Sequence, residues 1–166
     1  MNKRVLTLTR AGVIAAAYVA LSLISTSLGI AFGPVQFRVS EALCVLPFLF
    51  PEAVGGLFAG CLVVNILSPY GPLDLVVGSL ATLLAALVTR RCRKRILAPL
   101  PPVLFNGVMV GALISFYEVG FTDAFAAAFA INFASVALGE AVVCFALGLP
   151  LLAALEKRGV GKAGTK

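Results

Sequence analysis

The 166-residue chain contains no histidine and no tryptophan, and only 12% of its residues are charged. Without histidine, a Ser/His triad, a His-ligated metal site and a histidine proton relay are excluded together. A soluble domain carries about 25% charged residues, so roughly half of the usual surface charge is missing. The cysteines, Cys44, Cys61, Cys92 and Cys144, form no CxxC pair, which leaves no signature of a metal site or of dithiol redox chemistry. They read as small apolar packing residues. What the chain has in abundance is apolar side chains, 61% by a count that omits glycine, with a mean hydropathy of +1.08.

About 20 apolar residues are needed to cross a hydrocarbon core about 30 Å thick, so this length accommodates five or six helical spans. The expected fold is all-α: one integral membrane domain over residues 1–166, with spans near 11–31, 38–50, 53–68, 73–89, 101–117 and 124–154. The breaks fall at Gly33-Pro34, Pro51, Pro69-Tyr70-Gly71-Pro72, and Pro99 with Pro101-Pro102, where proline offers no amide hydrogen to continue a helix. The first apolar segment is uncharged from Ala11 to Phe37. That is too long for a cleaved signal sequence, so it is expected to stay in the membrane. The second span is short, with ten uncharged residues between Glu41 and Glu52. As an α-helix these rise only about 15 Å, so the span must borrow its outer turn from Arg38 to Glu41.

Charge sets the orientation. With a cytoplasmic N-terminus and six spans, twelve of the thirteen basic residues lie inside and only Arg38 lies outside, as the bias of basic loops toward the cytoplasm demands. Both termini are then expected to be cytoplasmic, in a multi-pass membrane protein. The net charge of +6, concentrated at Arg90, Arg91, Arg93, Lys94 and Arg95, reads as a topology anchor and not as a nucleic-acid surface.

A carboxylate at membrane depth costs roughly 2.5–3.5 kcal/mol on insertion scales, so each one demands a role. Glu140 stands alone in 32 residues between Asp123 and Glu156 and is expected to face the bundle interior, as a ligand contact or as a structural carboxyl. Asn132, two turns outward, could share its wall. Gln36, Arg38, Glu41, Asn65 and Asp74 gather near the outer face. Arg38 and Glu41, three apart, either pair with each other or serve a solute, and Asp74 is either an ordinary helix-start acid or part of the same pocket. Asn106 and Tyr117, eleven apart, return to nearly one helix face. Pairs of small residues at spacing four, Ala16/Ala20, Gly56/Gly60 and Gly107/Gly111, permit close helix approach. The glycine- and lysine-containing tail after Gly159 has the wrong order for a phosphate-binding loop. No metal cluster and no catalytic constellation emerges. These residues describe a solute-binding membrane protein, and a small self-assembling carrier or channel for a cationic or aromatic solute fits them too.

The run Gln36-Phe37-Arg38-Val39-Ser40-Glu41-Ala42-Leu43 through Leu46-Pro47-Phe48 to Pro51, with Gly60-Cys61, Asn65, Asp74, Gly78-Ser79-Leu80-Ala81-Thr82-Leu83, Pro101 to Asn106 and Gly139-Glu140, resembles the QueT family over about residues 10–155. The resemblance implies the substrate-binding S component of an energy-coupling factor (ECF) transporter that takes up queuosine precursors such as 7-aminomethyl-7-deazaguanine or queuine, or queuosine itself. It implies an outward pocket gated by the loop between spans 1 and 2. It also implies docking on a T subunit through Ala16 and Ala20, with Ala11 and Ala15 beside them, and delivery by toppling of the whole bundle. Two partner ATPase subunits would consume the ATP, and no cofactor is implied for this chain. The expected pocket residues are Gln36, Phe37, Arg38, Glu41, Asn65, Asp74, Asn106, Tyr117, Asn132 and Glu140, with Glu41 and Glu140 foremost.

Overall fold

The computed structural model of the chain describes residues 2–31 and 36–159. Gly33-Pro34 and the tail from Val160 lie outside the described residues. All regular elements among the described residues are helical: α1 (Lys3–Ser27), a central 3-10 helix (Val39–Phe48), α2 (Ala53–Asn65), α3 (Gly71–Thr89), a short 3-10 turn (Arg95–Leu97), α4 (Leu100–Val119), α5 (Phe125–Val143), a π turn (Cys144–Gly148) and α6 (Leu149–Lys157). Four stretches are long and apolar enough to cross a membrane: Lys3–Ser27, Gly71–Thr89, Arg95–Val119 and Phe125–Lys157. Val39–Phe48 and Ala53–Asn65 are shorter, so the six expected spans resolve into four long and two short helical pieces.

The first helix starts at Lys3, eight residues before the expected boundary, because Asn2 caps it by accepting the Arg4 amide at 3.2 Å. The second span does not solve its length problem with an α-helix. Its ten residues from Val39 to Phe48 wind as a 3-10 helix, which rises about 2.0 Å per residue and so reaches about 20 Å where an α-helix would reach about 15 Å. Runs of 3-10 helix beyond three or four residues are uncommon, and this one is held from most sides: α1, α2, α3, α4, α5, the π turn and α6 all pack against it. The last span is one continuous rod from Phe125 to Lys157. It widens at the π turn just before Pro150, whose ring cannot bond back to the carbonyl four residues earlier. Gly148 in that turn lies against Val45 and the Ala42 carbonyl of the 3-10 helix.

Neighbouring helices pack in sequence, α1 on α2, α2 on α3, α3 on α4 and α4 on α5. The α1–α2 contact is backbone on backbone: a Cβ on Gly56 would meet the Ala11 carbonyl oxygen at 2.5 Å, and one on Gly60 would meet the Ala15 carbonyl oxygen at 3.0 Å. Ala11 and Ala15, two of the four residues expected to dock a partner, are thus engaged by α2, whereas Ala16 and Ala20 are exposed.

The surface is inverted relative to a soluble protein. α3 buries Asp74, Ser79, Thr82 and Thr89 and exposes Val76, Leu80, Leu84 and Val88. One end of the bundle carries two ion pairs, Arg10 to Glu52 at 3.0 Å and Arg95 to Glu156 at 3.0 Å. Glu52, in the turn before α2, is thus paired with Arg10.

Candidate functional site

The central 3-10 helix begins beside the polar faces of its neighbours, and its first turn places Glu41 in the middle of them with 2% of its surface exposed. Around Glu41 the chain gathers donors from α1, from the 3-10 helix with its capping residue Arg38, and from the π turn. Tyr18 of α1 donates its phenol to Oε1. Cys44, one 3-10 turn on, donates its thiol to Oε2 at 2.9 Å. The Arg38 guanidinium lies with Nε 4.0 Å from Oε1, and Cys144 of the π turn donates to the Glu41 carbonyl at 3.3 Å. Cys144 also approaches Glu140 Oε2 at 3.7 Å, while Asn106 of α4 donates to Glu140 Oε1 at 2.5 Å.

A second polar cluster lies on the far side of Arg38. Its Nη2 donates to Asn65 Oδ1 at 3.4 Å, and Asn65 in turn donates to the Asp74 carbonyl at 3.1 Å and to Ser79 Oγ at 3.3 Å. Ser68 donates to Asp74 Oδ2 at 2.5 Å. Asp74 is therefore 3% exposed and more than a helix-start acid. Of the expected residues, Arg38, Glu41, Asn65, Asp74, Asn106 and Glu140 come together. Gln36 and Phe37 are half-buried on the approach. The Phe37 amide donates to the Ile30 carbonyl at 2.9 Å, and the Gln36 carbonyl lies so close above Gly139 that a side chain there has no room.

Two expected residues are elsewhere. Tyr117 is exposed and donates its hydroxyl to the Tyr70 carbonyl at 2.6 Å, with the two rings 5.6 Å apart. Asn132 donates to Ser115 Oγ at 3.1 Å and to Glu118 at 2.7 Å. Both belong to a rim at the α4–α5 end. Along their helices they lie well beyond Asn106 and Glu140, since eleven residues of helix are about 16 Å and eight are about 12 Å. In the same rim, burial first and then the Glu118 and Asp74 carboxylates push the Tyr70 phenol above its ordinary range.

Tyr18 and the cysteines were not expected here. Cys44, Cys61 and Cys144 are not simple apolar filler: the first and last donate to acidic residues, and Cys61 sulfur accepts from Asn65 at 3.4 Å and Thr82 at 3.3 Å. A signal for Tyr18 did exist, because Tyr18, Ser22 and Ser25 form a buried polar stripe at helical spacing, and Tyr18 and Ser22 are the polar side chains of the otherwise apolar run from Ala11 to Ile24. Ser22 continues the stripe onto the 3-10 helix through Ser40 Oγ at 2.7 Å.

The electrostatic content is three interior carboxyl groups, Glu41, Asp74 and Glu140, around one guanidinium, Arg38. Among the described residues no buried side-chain nitrogen or oxygen lacks a partner, and no group of His, Cys, Asp or Glu is arranged to hold a metal ion. Such a site can accept several N–H donors and balance a positive charge on a solute. An apolar exterior around a polar, hydrogen-bonded interior is the arrangement of a membrane protein.

Comparison with known proteins supplies the family. Residues 8–157 match the QueT transporter family, and the chain belongs to it; this is a family of transporters and not of enzymes. A protein of Lactococcus lactis subsp. cremoris described as a queuosine precursor transporter is 38% identical over 71 residues, 43% of this chain and 41% of that protein. The aligned stretch thus spans less than half of that relative's length. No solved structure matches the chain.

Proposed function

We propose that this chain is the substrate-capturing S component of an ECF-type importer, and that its substrate is a queuosine precursor of the deazaguanine class. The observation that carries the reading is a pair of buried carboxyl groups, Glu41 beside Arg38 and Glu140 beside Asn106, with the Cys144 thiol lying between the Glu41 backbone carbonyl and the Glu140 carboxyl, in a chain of the QueT transporter family. A deazaguanine presents a ring N–H beside an exocyclic amine, which one carboxylate accepts together, and a carbonyl that wants a donor. An aminomethyl substituent adds a cation. In this proposal Glu41 and Glu140 divide the guanine-like edge and the ammonium, and Arg38 or Asn106 donates to the carbonyl. Gln36 and Phe37 close over the ligand from the approach segment. The ligand replaces internal donors such as Cys44 and Tyr18, so the binding energy is a difference between two sets of hydrogen bonds.

The proposal includes six crossings of the plasma membrane with both termini cytoplasmic, supported by the distribution of basic residues. Exposed Ala16 and Ala20 meet a T subunit, two ATPases supply the energy, and the loaded bundle topples to release its cargo inside.

The test is equilibrium binding of 7-aminomethyl-7-deazaguanine, queuine, queuosine and guanine to the purified chain in detergent, without partners. Submicromolar binding of a deazaguanine with guanine rejected, and loss of that binding in Glu41→Gln and Glu140→Gln, supports the capture role. Failure of all four ligands to bind protein shown to be folded overturns it. Co-expression with a T subunit and two ATPases tests the assembly separately: uptake by this chain alone, unaffected by those partners, would make it a self-sufficient carrier.

A further inference from the structure

Where α1 and α6 diverge, the bundle leaves an open groove of about 380 Å³ floored by the central 3-10 helix, within the range of about 300–1,000 Å³ typical of ligand pockets. Its walls are Val13 and Ala17 of α1 and Leu151 and Leu155 of α6, and its floor runs from Leu43 to Phe50. Polar side chains enter the lining at one end alone, as Thr9 and Arg10. This is the end of the bundle that carries the Arg10–Glu52 and Arg95–Glu156 pairs.

We propose that this groove holds one acyl chain of an anionic phospholipid, with the headgroup phosphate at the Arg10 end. Helical register supplies the charge complementarity. Lys3 lies two turns before Arg10 on the same face of α1, and Arg158 is the residue that ends α6 just after Leu151 and Leu155, so both walls end in a cation at one mouth. Lys3, Arg10 and Arg158 are all exposed. Glu52 engages one amino group of Arg10 at 3.0 Å, and the guanidinium sits 5.7 Å from the centre of the Phe50 ring. Glu52 offsets one of the three positive charges and leaves a surplus for a phosphate. The depth fits as well, because a chain lying along Val13 and Ala17 starts at the charged mouth and runs toward the bilayer interior, as a tail must. A wholly apolar trough with cations at a single end matches the amphiphilic division of a phospholipid.

The probe is native mass spectrometry of the detergent-purified chain exchanged with phosphatidylglycerol or with phosphatidylcholine of identical acyl chains. We expect one phosphatidylglycerol to persist on the wild-type chain and phosphatidylcholine to be retained less. Ala17→Phe and Val13→Phe fill the groove, and each is expected to lower phosphatidylglycerol retention about tenfold, a change of 1.4 kcal/mol; Val13 is 63% exposed, so its variant is compatible with folding if Ala17→Phe is not. Val88→Phe, on the exposed face of α3, is expected to change nothing. Lys3→Gln with Arg158→Gln is expected to erase the preference for phosphatidylglycerol while a chain is still held. Equal retention by wild type and both groove-filled variants would overturn the proposal. Unchanged lipid retention with loss of co-purifying ATPase subunits would overturn it in favour of a protein occupant.

Discussion

Asn106 on α4 and Glu140 on α5 are joined by a side-chain hydrogen bond of 2.5 Å, and α4 presents glycines to α5 alongside it. Gly107 and Gly111 face Phe133, where an added Cβ would come within 3.0 Å. The close approach of the two helices and the bond between their polar residues are therefore one arrangement: the first brings the amide within reach, and the second gives a buried carboxyl a donor.

Removing that donor has a defined cost. Asn106→Leu leaves Glu140 buried with a lost partner, a loss of about 1–3 kcal/mol. The expected outcome is a lower thermal unfolding midpoint of the detergent-solubilised protein. An unchanged midpoint would show that Glu140 does not depend on Asn106.

Two adjacent glycines separate backbone contact from helix propensity. Gly56→Ala drives a Cβ against the Ala11 carbonyl, a backbone atom that cannot swing aside, and is expected to destabilise by about 1–3 kcal/mol, as overpacking does. Gly55→Ala meets nothing within 4 Å and is expected to be neutral or to stabilise by up to about 1 kcal/mol. Equal effects of the two in the same unfolding assay would refute the close α1–α2 packing.

Ligand affinity distinguishes the core from the rim. Asn65→Ala removes the group that links Arg38 to Asp74 and Ser79, and is expected to weaken deazaguanine binding by about 10- to 100-fold, equivalent to about 1.4–2.8 kcal/mol. Asn132→Ala, at the rim, is expected to leave the dissociation constant unchanged. The reverse pattern would move the pocket to the α4–α5 end.

Cys92 serves as a natural topology reporter. It is the partly exposed cysteine, whereas Cys44, Cys61 and Cys144 are buried, and it lies in the loop between α3 and α4. A membrane-impermeant maleimide is expected to label it in inside-out vesicles and not in right-side-out ones. Burial pushes the Cys92 thiol up from its ordinary range. Because the thiolate is the reactive form, labelling should be slower than that of a free thiol near neutral pH and should go on rising with pH after the free thiol has levelled off. Labelling from the outer side would invert the proposed orientation.

The sequence displays the helical content, because long charge-free runs and prolines mark segments and breaks directly. Glu140 was readable as an interior residue because polar groups are expensive in hydrocarbon, whereas Glu41, Asn65 and Asp74 were readable as a cluster near the outer face and not as buried groups. The length of the second span was visible as a conflict, yet its resolution as a 3-10 helix depends on what surrounds it, and no local propensity encodes that. Tyr117 and Asn132 show the limit of angular reasoning, which fixes a side chain's direction without its partners. Tyr18, Cys44 and Cys144 escaped because tyrosine and cysteine are ordinary packing residues, and their polar use is decided by a carboxyl delivered from elsewhere in the chain.

The central 3-10 helix also constrains how the protein is made. Glu41 bonds through its carbonyl to Cys144, 103 residues later, and the π turn and α6 are among the elements that pack against Val39–Phe48. During synthesis the second span leaves the ribosome with a carboxyl and too few residues to settle in lipid alone, and its last companions do not yet exist. Maturation thus waits on the C-terminal third of the chain. A truncation ahead of Cys144 removes the donor to the Glu41 carbonyl and two of the elements that hold the 3-10 helix in place.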